Sequence, residues 1–209
     1  MNQIGKVAVI GAGTMGAQIA SLAAISGYTV SLWDALDTAL ERGMDRAESE
    51  ILPNIGAQRG LGTTEVASGL GRLTTAGSMA EAVDGAQLVI EAVREEIEVK
   101  RAVFSELSRM TDAILGTNSS SIPSSSIAPA VERPERLLNM HFFAPIWVRS
   151  MLELMSCGAT SDETIQTARD SEFRLALSLR SSTVKARASS SIASGERSSG
   201  NRWRWSTRE

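Results

Sequence analysis

The feature that most constrains this chain is a short apolar run, Val7-Ala8-Val9-Ile10, that runs straight into Gly11-Ala12-Gly13-Thr14-Met15-Gly16. The run is too brief for a helix and is stopped by glycine, which predicts a buried strand of a parallel sheet. Residues Ala17 to Ser26 are mostly small and apolar, as in a helix that packs close to a sheet, and Gly27 is its natural C-terminal stop. Tyr28 to Trp33 predicts a second strand, ending at Asp34. Strand, glycine turn, helix and strand in about thirty residues make a βαβ unit.

G-x-G-x-x-G is a weak signal alone, and its context gives it meaning. The first glycine allows the tight turn, the second lets backbone approach a pyrophosphate, and the third lets helix and strand pack closely. The helix N-terminus attracts the phosphate charge. Asp34 lies 18 residues after Gly16, where a carboxylate can accept from both hydroxyls of an adenosine ribose. That carboxylate would repel a 2′-phosphate, which favours NAD over NADP. The expected cofactor contacts are therefore Gly11, Ala12, Gly13, Thr14, Met15, Gly16 and Asp34. The bland alternative is an ordinary βα turn followed by an ordinary turn acid.

The rest of the chain keeps alternating. Residues 37–56 read as a helix with Pro53 near its end, and glycines at 56, 60, 62, 69 and 71 break up the next stretch. Arg72 to Thr75 is a weak third strand, and Ser78-Met79-Ala80-Glu81 has the spacing of a capping box. Leu88 to Ala92, a charged helix over 95–109, and Ala113 to Thr117 come next, with short strands over Leu137 to Phe143 and Met151 to Met155 and a helix opened by Thr160 to Glu163 after them. This order predicts an α/β fold of Rossmann type, a doubly wound, mostly parallel sheet.

A length of 209 residues suits one domain, or one domain and a fragment of a second. No apolar run approaches the roughly 18 residues of a membrane helix. One cysteine, Cys157, and one histidine, His141, exclude a disulfide and leave no cluster to hold a metal. The first residues show no cleavable signal pattern, which points to the cytosol. Residues 171–209 hold eight Lys/Arg against three Asp/Glu, and the preceding residues thirteen against twenty-one. An acidic front disfavours nucleic acid as its partner. The tail also carries eleven serines and no sustained apolar period, so the expected organisation is a nucleotide-binding domain over 1–170 and a Ser/Arg-rich, disordered or foreign segment over 171–209.

Asn118-Ser-Ser-Ser-Ile, Arg136-Leu-Leu-Asn-Met-His141-Phe-Phe-Ala-Pro145 and Leu152-Glu153-Leu together resemble the L-3-hydroxyacyl-CoA dehydrogenase family, and Ile90-Glu91-Ala92-Val93-Arg94-Glu95 through Lys100 is similar to its fourth-strand segment. The resemblance covers about residues 5 to 170. It implies NAD-dependent oxidation of an acyl-CoA-type substrate. Oxidising a secondary alcohol requires a base for the hydroxyl proton, a task that suits histidine. His141 matches the family's catalytic histidine, Glu153 the carboxylate that orients it, and Ser120 the serine that contacts the substrate. Glu95 and Lys100 match the pair along the nicotinamide ribose. Each has a plainer reading: a structural histidine, a surface acid, one solvated helical face. Ala144 departs from the family's usual asparagine, and residues 37–63 carry only scattered arginines (Arg42, Arg46, Arg59) for a CoA phosphate.

Past Asp170 the resemblance stops, and the family's C-terminal helical domain, through which it dimerises, has no counterpart. A family-like homodimer is therefore not expected. In a shifted frame, with TCN serine codons, the stretch Ala186 to Ser194 admits Pro-Gly-Phe-Ile-Val-Asn-Arg-Leu, the family's next segment. One expectation is thus a frame error between about Asp170 and Arg180; the other is an evolved basic tail that binds an anionic partner. The functional expectation is a hydroxyacyl-CoA dehydrogenase, impaired in this chain. The alternatives are a non-catalytic NAD-binding remnant and a dehydrogenase of a non-CoA hydroxy acid.

Overall fold

The structure, a computed structural model, describes residues 4–149, 151–171 and 186–187. β1 (Lys6–Ile10), α1 (Thr14–Ile25) and β2 (Thr29–Trp33) form the first crossover. α1 begins inside the glycine turn, on Gly13, rather than at Ala17. α2 (Asp37–Arg46) continues through one π-helical stretch (Ala47–Ile51) into α3 (Leu52–Arg59). The expected helix over 37–56 thus passes Pro53, which sits in the first turn of α3, next to the π-helical stretch where the helical hydrogen-bond pattern changes. Gly60 ends it in a left-handed conformation.

α4 (Thr63–Leu70) lies in the stretch where glycines predicted a break. Glu65 accepts from the Gly62 amide at 2.7 Å and caps its start. Gly69 belongs inside this helix because it packs on α1: a Cβ there would lie 3.2 Å from the Ile25 Cα. β3 (Leu73–Thr75), α5 (Met79–Val83), β4 (Leu88–Glu91), α6 (Ile97–Met110) and β5 (Ile114–Thr117) keep the expected order. After the short α7 (Ser124–Ile127) come β6 (Leu137–Phe142), β7 (Leu152–Ser156) and α8 (Asp162–Asp170), the last capped by Ser161.

The sheet runs β3-β2-β1-β4-β5-β6-β7, parallel from β3 to β6, with β7 antiparallel to β6. β8 (Ala186–Arg187), a two-residue strand in the Ser/Arg-rich segment, pairs parallel to β7. The expectations of disorder or a frame error in the tail otherwise fall outside the described residues. Alternation along the strands divides the core between the two faces. Val7, Val9, Val30, Leu32 and Met140 pack against α1 and α3, while Ala8, Ile10, Val89 and Leu115 pack against α5, α6 and α7. Among the described residues no helix is long and apolar enough to cross a membrane.

The approach of α1 to β1 depends on one residue. A Cβ on Gly16 would lie 1.7 Å from the Gly11 carbonyl oxygen, and backbone cannot yield as a side-chain tip can. A Cβ on Gly13, three residues earlier on the same turn, would meet nothing within 4 Å. Gly16→Ala is expected to destabilise the chain by about 3 kcal/mol through overpacking, and Gly13→Ala to leave it unchanged. Urea unfolding of the two variants checks the contrast; equal midpoints would show that α1 does not pack as described.

Candidate functional site

Strands in parallel register end together, and here Trp33, Ile10, Glu91, Thr117 and Asn139 form one row across β2, β1, β4, β5 and β6. The residues beyond that row line a crevice at the carboxyl edge of the sheet, where open α/β sheets bind ligands. The glycine turn forms one end of it. Gly13 and Thr14 are exposed, Gly11, Ala12 and Gly16 are buried, and no side chain caps α1 or places an acid in its first turn. The open space over Gly13 and the uncapped helix N-terminus fit a pyrophosphate.

Asp34 stands beside this turn. Its Oδ2 accepts from the Ala12 amide at 2.7 Å and its Oδ1 from the Leu36 amide at 3.0 Å. The carboxylate therefore braces the glycine turn, and each oxygen keeps a lone pair for a ribose hydroxyl. Met15 is half-buried against the core on the same side.

At the other end of the crevice, antiparallel pairing sets His141 of β6 directly opposite Glu153 of β7. Directly opposed residues share a face of the sheet. The two side chains meet with Nδ1 3.2 Å from Glu153 Oε2. An ionised carboxylate can only accept, so Nδ1 donates and Nε2 carries the free lone pair. The Phe143 ring lies 4.2 Å from the imidazole, centroid to centroid.

Between these ends lies a set of ionic and hydroxyl groups. Glu91 is completely buried at the end of β4; its Oε1 accepts from the Val93 amide at 2.7 Å and from Lys100 Nζ at 2.8 Å, and its Oε2 from Thr117 Oγ1 at 2.7 Å. Lys100 is 1% exposed and also pairs with Glu95 Oε2 at 3.3 Å. Glu95 Oε1 collects four donors from the loop after β5: Ser119 Oγ at 2.6 Å, the Ser120 amide at 3.1 Å, and the Ser121 amide and hydroxyl at 2.9 Å each. Ser119 and Ser121 thus spend their hydroxyls on Glu95, while the exposed Ser120 has no partner for its own hydroxyl among the described residues. The plainer reading of Glu95 and Lys100 as one solvated helical face is corrected, because Lys100 is sealed in the core by two carboxylates.

Several side chains that support the site have little signal in the sequence. Asn118 Oδ1 accepts from the Phe142 amide at 2.8 Å, Asn139 Nδ2 donates to the Ser119 carbonyl at 2.9 Å, and Gln18 of α1 accepts from the Ile146 amide at 2.8 Å. Together they tie the loops after β5 and β6 to each other and to α1. Glu91 had one signal, a lone acid closing an apolar run. A separate cleft of about 610 Å³ opens at the opposite edge of the sheet, where buried Arg136 donates to the Thr111 and Ala113 carbonyls after α6. Those bonds hold the link between α6 and β5. Among the described residues no group of three or more His, Cys, Asp or Glu is placed to hold a metal.

Comparison with known proteins places this geometry among dehydrogenases. The family model for the 3-hydroxyacyl-CoA dehydrogenase NAD-binding domain matches residues 6–185. The probable 3-hydroxybutyryl-CoA dehydrogenase of Bacillus subtilis is 36% identical over 165 residues, which is 78% of this chain and 56% of that protein. The 3-hydroxyadipyl-CoA dehydrogenase of Escherichia coli K12 is 38% identical over 168 residues, 79% of this chain and 35% of that protein. The crystal structure of 3-hydroxybutyryl-CoA dehydrogenase from Escherichia coli K12 superposes with a TM-score of 0.77 at 36% identity, covering 85% of this chain and 37% of that one. The chain therefore spans about a third to somewhat over half of these relatives.

Glu95 gives the crevice a defined response to acid. Burial pushes its carboxyl upward, but the hydrogen bonds from Ser119 and Ser121 and the charge of Lys100 outweigh that and hold it at about 2, below the ordinary 4.5. A carboxyl depressed by folding contributes its full stabilisation above the ordinary value and loses it as pH falls through the folded value. The stability difference between the native chain and Glu95→Gln is expected to be flat above about pH 5.5 and to shrink below that, the loss running down toward about pH 2. Urea unfolding across that range checks it; a difference independent of pH throughout would mean that the serine loop does not select the ionised form.

Proposed function

Because this chain belongs to the 3-hydroxyacyl-CoA dehydrogenase family, through that family's NAD-binding domain, we propose that it binds NAD along the glycine turn and oxidises the 3-hydroxyl of an L-3-hydroxyacyl-CoA to the ketone. The observation that carries the reading is the imidazole of His141 at the carboxyl edge of the sheet, anchored by Glu153 through Nδ1, with no partner for Nε2 among the described residues.

Gly11 through Gly16 would hold the pyrophosphate against the start of α1, and Asp34 would take the adenosine ribose hydroxyls. When bound, NAD supplies the acceptor for the hydride that leaves carbon 3. Nε2 of His141 takes the hydroxyl proton, and the imidazolium so formed is stabilised by Glu153. The Ser120 hydroxyl, without a partner among the described residues, would bond the substrate oxygen. In the reverse direction His141 returns the proton to the ketone oxygen. Glu95 and Lys100 border the place where the nicotinamide ribose would lie. The residues that would bind CoA and set acyl-chain length form no phosphate cluster over 37–63, so a non-CoA hydroxy acid is the rival substrate class.

Acetoacetyl-CoA-dependent oxidation of NADH by this chain tests the reading. His141→Gln is expected to lower turnover by about 10²–10⁴-fold and to leave NADH affinity, read by fluorescence, unchanged. Turnover in that variant equal to the native rate would overturn the assignment, and activity on acetoacetate alone would move the substrate to the non-CoA class. Gly13→Ala is expected to weaken NADH by at least about tenfold because its methyl enters the space left for phosphate. Preference for NADH over NADPH, reversed or abolished in Asp34→Ser, would place Asp34 on the ribose.

A further inference from the structure

The proposed reaction uses His141, Glu153 and Ser120 and gives no part to Glu91, although Glu91 is the one completely buried acid among the described residues. A carboxylate removed from water is unfavourable unless its oxygens are fully engaged. Here three donors meet it: the Val93 amide, Lys100 and Thr117. Two of these lead toward the serine loop. Thr117 is the last residue of β5, and the serine loop begins two residues later; Lys100 lies on α6 and holds Glu95, which in turn gathers Ser119, Ser120 and Ser121.

We propose that Glu91 is a positioning residue: through Lys100 and Glu95 on one side and Thr117 on the other, it fixes the serine loop and thereby sets where the Ser120 hydroxyl is presented. The proposal deepens the dehydrogenase reading and rests on it for the role of Ser120. Both arms of the contact are needed. Lys100 Nζ lies 2.8 Å from Glu91 Oε1 and 3.3 Å from Glu95 Oε2, so one ammonium is shared between the two carboxylates. Without Glu91 the ammonium would turn toward Glu95 alone, drawing its carboxylate from the four donors of the loop. Without the Thr117 contact the end of β5 would lose the side-chain bond that joins it to β4.

A purely structural ion pair makes a different prediction. Replacing a buried pair by neutral groups of similar volume commonly preserves or raises stability. Three variants separate the alternatives: Glu91→Gln, the double variant Glu91→Gln with Lys100→Met, and Thr117→Val as a milder change. For each, thermal unfolding reports the fold, and hydrogen exchange and chemical shift of the Ser120 and Ser121 amides report the loop. The double variant is expected to unfold near the native temperature while both amides exchange about tenfold faster than in the native chain. Glu91→Gln is expected to do the same to the amides with lower stability, and Thr117→Val to shift the Ser120 and Ser121 resonances with the fold intact. Native exchange rates in a stably folded double variant together with unmoved resonances in Thr117→Val would overturn the proposal, leaving Glu91 as a brace of the fold. These amide measurements need no cofactor or substrate, so they stand whether or not the chain oxidises a hydroxyacyl-CoA. Where it does, kcat is expected to fall by about threefold or more in Thr117→Val with NADH affinity unchanged, the split of a displaced Ser120 rather than a damaged cofactor site.

Discussion

The site depends first on strand register. Parallel pairing aligns the last residues of β2, β1, β4 and β5 with Asn139 of β6 in one row, so side chains separated by more than a hundred positions in sequence emerge along one edge. At β6 the pairing changes direction, and the antiparallel ladder with β7 is what faces Glu153 toward His141. A slip of one residue in that ladder would turn every β7 side chain to the other face of the sheet. The imidazole would then lose its acceptor without any change in the composition of either strand. The apolar alternation of Met140 and Phe142 with Leu152 and Leu154 fixes the register, since a slip would also expose those core residues. The His141–Glu153 contact and the core packing are thus specified by the same hydrogen bonds.

How far the fold and the site are legible in the sequence is decided by the range of the interactions involved. The first crossover is local: a β-branched run, a glycine turn and a small-residue helix each announce themselves within a few positions, and the structure places them within three residues of the expected bounds. α4 is not local. Its glycines speak against a helix, and it stands because Gly69 lets it lie against Ile25. The serine run is a sharper case. Ser119, Ser120 and Ser121 are identical as sequence, and their difference arises from a carboxylate about 25 residues away that takes two of the three hydroxyls. The motif could point to Ser120 only through resemblance; the distances give a physical reason why its hydroxyl is the one left over. Lys100 is similar: charge on a helix reads as solvated, and only the meeting of α6 with the end of β4 encloses it.

Burying Glu91 and Lys100 is not the most stable use of the space. Two ions lose hydration, their attraction regains only part of it, and well-packed apolar residues would commonly serve stability as well or better. What the ions supply is direction. An ammonium held on one side by a fully engaged carboxylate presents its remaining N–H groups along fixed lines, and a carboxylate facing it takes a fixed orientation in turn. Glu95 shows the consequence. Its Oε1 is saturated by four donors of the serine loop, so Oε2, shared with Lys100, is the oxygen with room for a further donor. Any hydroxyl that approaches Glu95 from the crevice is therefore steered to Oε2, on the side of Lys100, while the serines remain bound to Oε1. One side chain in this way both faces the ammonium of Lys100 and anchors the serine loop, and both contacts lapse together if its orientation is lost.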